Sequence, residues 1–123
     1  MRDGTDGRRA LGRLGEDLAA QHLERLGYAI VARNHRTRHG ELDLVACDGR
    51  VLVFCEVKAR RGTGRPWDAL GPAKQQQVRR MARAYLADAP DRPRVPGLRF
   101  DAIGVVLDGR GRLVRLDHLE GAF

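Results

Sequence analysis

The chain has 123 residues, 42% apolar and 32% charged, which is the composition of one globular domain and excludes a disordered chain. No apolar run approaches the ~18 residues of a membrane span, the N-terminus lacks the apolar stretch of a signal peptide, and two cysteines make no disulfide framework. The formal charge is +7, with 21 arginines, only two lysines (Lys58 and Lys74) and 16 acids. A single cytoplasmic domain over residues 1–123, with residues 1–6 disordered, is therefore the expectation.

In chain order, residues 7–26 read as a helix, with Leu11, Leu14, Leu18, His22 and Leu26 in one stripe. Gly27 supplies the stop, because glycine takes the left-handed C′ conformation at no steric cost. Residues 28–33 suit a short strand, and 34–40 read as a polar, basic loop. Residues 41–47 and 51–58 form a hairpin about Asp48-Gly49, a dipeptide that favours a type I′ turn. Gly71-Pro72 opens a second helix, with proline where its missing N–H does no harm. Val78, Met81, Ala82 and Tyr85 give that helix one apolar face. Strands follow at 98–107 and 112–117. The order α-β-β-β-α-β-β predicts an α/β or α+β domain, with helices covering a central sheet.

The charge is unevenly placed. Residues 58–83 hold eight bases and one acid, Asp68, while the rest of the chain balances at 15 and 15. A local positive excess attracts phosphate polymers, although a solvated surface has the same look.

With Asp48-Gly49 as a two-residue turn, Val45 faces Leu52, Asp43 faces Phe54 and Glu41 faces Glu56. Alternation then puts Glu41, Asp43, Val45, Leu52, Phe54, Glu56 and Lys58 on one face. The opposite face, from Leu42 and Leu44 to Cys55 and Val57, is wholly apolar. Three carboxylates thus gather at one end of an apolar sheet with one lysine. Such a group holds a proton or binds a cation, and all-oxygen ligands suit Mg²⁺ or Mn²⁺. The plainer alternative is a cross-strand ion pair, Lys58 with Glu56, and solvated acids.

Gly40-Glu41-Leu42-Asp43-Leu44-Val45-Ala46, followed by Val53-Phe54-Cys55-Glu56-Val57-Lys58-Ala59-Arg60, resembles the YraN-like family of small bacterial proteins. That family looks like a branch of the PD-(D/E)xK nucleases, close in pattern to Holliday-junction resolvases. Gly12-Arg13-Leu14-Gly15-Glu16 resembles its first helix, and the stretch from Ala69 through Lys74 to Leu86 its second.

The resemblance implies a restriction-endonuclease-like core and a Mg²⁺- or Mn²⁺-dependent endodeoxyribonuclease acting on DNA, branched or damaged forms included. It implies Asp43, Glu56 and the Val57 carbonyl as metal ligands, with Glu41 a further candidate. Lys58 would assist the attacking water, and Glu16 would contribute from the first helix. Glu16 borders the apolar stripe, a position that suits either reaching over the sheet edge or plain exposure. Arg36, Arg38, Arg60, Arg61, Arg65, Lys74, Gln75 and Arg79 are the candidate nucleic-acid contacts. Two other readings stand beside this one: a non-catalytic nucleic-acid-binding module, and a protein that docks its basic face on an acidic partner. The oligomeric state, monomer or homodimer, is open.

Overall fold

The computed structural model describes residues 4–62 and 70–123. Helix α1 (Gly4–Arg25) precedes strands β1 (Ala29–Thr37), β2 (Gly40–Cys47) and β3 (Val51–Arg61). Helix α2 (Pro72–Asp88) and strands β4 (Gly97–Leu107) and β5 (Leu113–Leu119) complete the order expected from the sequence. The strands form one five-stranded sheet in the order β1-β2-β3-β4-β5. Only β3 and β4 are parallel, and α2 is the crossover between them. No helix among the described residues is long and apolar enough to cross a membrane.

Each face of the sheet buries one helix. On one side Ala19, Ala20 and Leu23 of α1 pack on Leu44, Ala46, Cys55, Val57, Ile103 and Val105. On the other, Val78, Met81, Ala82 and Tyr85 of α2 pack on Val45, Leu52 and Phe54. Burial on both faces explains why β3 reads as a nearly continuous apolar run. The centre of the α1 stripe is Ala19 and Leu23, not the row through Leu26, which lies past the helix and is 54% exposed. At that end Gly27 (φ 98°) and Tyr28 donate to the Glu24 and Leu23 carbonyls at 3.0 Å, the stop expected of this glycine.

Two local expectations are corrected. Residues 34–37 are strand, because β1 is an edge strand and its polar residues face water. The hairpin turns on Gly49-Arg50, one step later than Asp48-Gly49. Asp48 Oδ1 accepts the N–H groups of Arg50 (2.9 Å) and Val51 (3.0 Å), which ties Asp48 to the strand end, and Gly49 takes φ 93°. Val45 therefore pairs with Phe54, and Cys47 with Leu52. The slide involves both strands, so most side chains keep their predicted faces. Leu42 does not: it packs with Val45 and Cys47 on the α2 side. Alternation breaks between Leu42 and Leu44, at Asp43. Across on β1, between the pairs Arg33↔Leu44 and His35↔Leu42, lies Asn34 in the left-handed region (φ 51°).

Candidate active site

The β2–β3 ladder runs from Cys47↔Leu52 to Leu44↔Cys55, and the same count sets Asp43 against Glu56. Here the Asp43 carboxylate takes over from the backbone, accepting the Val57 N–H at 2.9 Å. In an antiparallel pair, the N–H and C=O of a residue point to the same neighbour. The Val57 carbonyl therefore faces the Asp43 edge.

Glu56 follows Phe54 onto the α2 face and is buried, its side chain 3% exposed. Lys58 Nζ lies 3.5 Å from Glu56 Oε1, and Lys74 Nζ, from the first turn of α2, lies 3.4 Å from the same oxygen. Proline stands at the start of that first turn. From the other side, α1 closes on β3 through Gly15. A Cβ there would lie 2.7 Å from the Ala59 Cβ, so only glycine permits the approach. The next residue, Glu16, arrives beside the site: it is hydrogen-bonded with Asn34, and its charge acts on Asp43.

The electrostatics follow from this crowding. Burial, then the charge of Glu56, pushes the Asp43 carboxyl up to about 8, against the pull of the Val57 N–H. Burial also raises Glu16; Asn34 and Arg33 oppose, and Glu41 and Asp17 add to it. The Asp43 carboxyl thus keeps its proton near neutral pH. A buried carboxyl that retains its proton beside another carboxylate is one where a cation can take the proton's place. The fit is of a definite kind. Among the described residues no three His, Cys, Asp or Glu side chains converge as a ready-made ligand set. Two carboxylates and a backbone carbonyl suit Mg²⁺, which keeps several waters and takes few protein ligands.

The remaining predicted residues separate. Glu41 lies opposite Arg36 on β1, at 3.7 Å, rather than opposite Glu56, a consequence of the slipped turn. Its side chain is 42% exposed, at the rim. Arg60 bonds the neighbouring Ala59 carbonyl, Arg61 reaches the Gly109 carbonyl at 3.5 Å, and Gln75 holds the Leu70 carbonyl at 3.2 Å. Arg79 lies over the rings of Phe100 and Phe123. Arg65 lies outside the described residues. Arg38 and His39 line a cleft of about 370 Å³ with Arg80 and Arg83 of α2. Helical spacing along 76–83 places these two arginines on the outer side of α2, but their meeting with Arg38 is tertiary.

Three partnerships escaped sequence reasoning. Lys74 reaches Glu56 from 18 residues away. Asn34 meets Glu16 through a backbone conformation that sequence rarely announces. The third is a polar network on β4. Asp101, fully buried, accepts from Arg99 Nε (2.7 Å) and Nη2 (2.9 Å) and from the Gly121 N–H (3.0 Å), and bonds His118 Nε2 (2.7 Å). His118 Nδ1 meets His22 Nε2 at 3.0 Å, and Arg99 also donates to the Tyr28 hydroxyl. This network ties α1, the residue that precedes β1, β4 and β5 together.

A mixed sheet between two helices, with a carboxylate pair and lysine where the central hairpin opens, defines an α/β domain with a restriction-endonuclease-like core. Comparison with known proteins gives the family. The profile of Uncharacterised protein family UPF0102 matches residues 15–105. A UPF0102 protein of Streptomyces griseus is 48% identical over 116 residues, covering 93% of this chain and 96% of that protein. One from Pelotomaculum thermopropionicum is 45% identical over 121 residues, 97% and 99% of the two chains. Another, from Symbiobacterium thermophilum, is 47% identical over 117 residues, 94% and 97%. The chain belongs to the UPF0102 family, the YraN-like family that its motifs resemble.

Proposed function

We propose that this protein is a Mg²⁺- or Mn²⁺-dependent nuclease that hydrolyses phosphodiester bonds of DNA at the Asp43–Glu56 pair. The observation that carries the reading is the meeting of Asp43, bonded to the Val57 N–H at 2.9 Å, with the buried Glu56 and Lys58 at the open end of the hairpin. Asp43, Glu56 and the Val57 carbonyl would hold the ion, with Glu16 at its margin. A divalent ion in such a site supplies a Lewis acid and a water of lowered pKa. Lys58, 28% exposed, presents an ammonium to an incoming phosphate and can orient the attacking water. It is the residue type that can also yield a proton, which arginine cannot. Lys74 holds Glu56 in place from α2. The arginines of α2 and Arg38 offer the phosphate backbone a positive track.

One observation favours a second reading, a nucleic-acid-binding module without turnover. Glu56 already has two lysines within 3.5 Å. Those charges can hold the acid in a protein that never loads an ion.

The test is a cleavage assay with Mg²⁺ or Mn²⁺ on linear, single-stranded and four-way DNA, beside Asp43→Asn and Lys58→Ala. Cleavage of any substrate, lost in both variants, supports the nuclease. Cleavage that survives both substitutions sinks the site. Salt-sensitive binding of DNA with no cleavage selects the module.

A further inference from the structure

Strand β5 closes one side of the sheet and leaves its outer edge unpaired. Edge strands of this kind usually carry devices that stop other chains from adding to them. One such device is present. Between the pairs Leu107↔Leu113 and Val106↔Arg115 the register shifts, and Val114 is the extra residue of a β-bulge. The bulge residue Val114 is 64% exposed, and beyond it the edge is regular and ends at Leu119, 46% exposed.

The regular stretch has an internal symmetry. Arg115-Leu116-Asp117 places a cation and an anion at equal distances on either side of Leu116. Arg115 and Asp117 are exposed, at 60% and 38%, and pair with each other along the strand at 2.9 Å. Two copies of this segment laid antiparallel about Leu116 would set each Arg115 directly opposite the partner's Asp117. Each arginine would then have an aspartate beside it on its own strand and another across the seam. Charges alternate round the four corners, and cross-strand pairs of opposite charge stabilise a sheet. On the α1 face, Leu116 packs against the α1-side core together with half-buried Leu11, Leu14 and Leu18. Leu14 reaches the turn that leads into β5, its Cδ2 3.6 Å from the Cβ position of Gly111. This apolar rim continues the strand edge and remains half-buried in one copy alone.

We propose that β5 is a self-complementary edge through which two copies of this chain join their sheets about a two-fold axis at Leu116. Such an interface closes on itself, and the bulge at Val114 limits it to one register. A basic strand edge would repel its own copy; this one is neutral by the pairing of Arg115 with Asp117 and complements a second copy. The proposal is independent of phosphodiester chemistry.

Sedimentation of the full chain over a wide range of concentration tests it. Wild type is expected to pass from monomer to dimer and no further. Arg115→Asp leaves four acids at the seam and Asp117→Arg four bases, so each alone should weaken dimerisation at least about tenfold. The two single variants mixed together should form a heterodimer, and R115D/D117R should dimerise as wild type does. Both positions are on the surface, so circular dichroism should show each variant folded. A wild type that stays monomeric throughout, a dimer indifferent to either charge reversal, or a mixture that fails to associate would each overturn the proposal.

Discussion

Replacing Asp43 by Asn removes the charge that the folded protein accommodates least well, and it should stabilise the metal-free protein above neutral pH. Asparagine keeps an oxygen to accept the Val57 N–H, which is 2.9 Å from Asp43 Oδ2. The wild-type carboxyl moves from an ordinary 3.8 up to about 8, so the folded state keeps a proton that the unfolded chain releases near pH 4. Stability therefore falls as pH rises from the unfolded value towards the folded one, and the full cost is reached above about pH 8. At ~1.4 kcal/mol per pH unit, that shift sets an upper bound of ~6 kcal/mol. Water reaches the rim and screens the charge, so we expect about 2 kcal/mol between pH 5 and pH 8. Urea unfolding across that range, with metal chelated, reads the slope directly. Wild type should lose stability with rising pH, and Asp43→Asn should lose much less. Mn²⁺ or Mg²⁺ should restore wild type at the alkaline end and leave the variant unmoved. A flat wild-type profile, or equal slopes in the two proteins, would refute the crowded-carboxylate reasoning.

Asp101 has the opposite sign. Burial alone would raise it, but His118, Arg99 and the Gly121 N–H hold it at about 2. Its stabilisation, ~2 kcal/mol, is present above pH 4 and is lost as pH falls towards 2. Asp101→Asn should cost ~3 kcal/mol in chemical denaturation and flatten the acid limb, because Arg99 loses its partner. Gly15→Ala should cost about 1–3 kcal/mol, since the added Cβ meets Ala59 at 2.7 Å. Thermal unfolding should show recovery when Ala59→Gly is added, and an additive loss in the double variant would contradict the close-approach argument. Replacing Arg38, Arg80 and Arg83 by Ala should weaken DNA binding and reduce its salt slope by up to about 3, read from binding isotherms at several ionic strengths. An unchanged slope would remove that cleft from the interface.

Which elements exist was legible from pattern. Gly27 ended a helix, Pro72 opened one, and the alternation of residues 51–58 reported a strand. These signals are local, set by backbone sterics and side-chain period. Boundaries were less legible where a tertiary setting overrides propensity. Residues 34–37 look like a loop because an edge strand can be polar. Asp48 looks like a turn residue until its carboxylate is seen accepting the N–H groups of Arg50 in the turn and Val51 at the start of β3.

For the candidate site, sequence by itself determined the chemical inventory: Asp43, Glu56 and Lys58 near one end of a hairpin, and a basic stretch after them. Alternation with period two is enough for that. Only the tertiary structure decided how those groups are balanced. It slid the hairpin so that Asp43, not Glu41, stands against Glu56, and brought Lys74 to 3.4 Å of that glutamate. It also closed α1 on β3 at Gly15, which delivers Glu16 to the rim. A pKa depends on what approaches within a few ångströms and on what water is excluded, and neither is a property of the neighbouring residues in the chain.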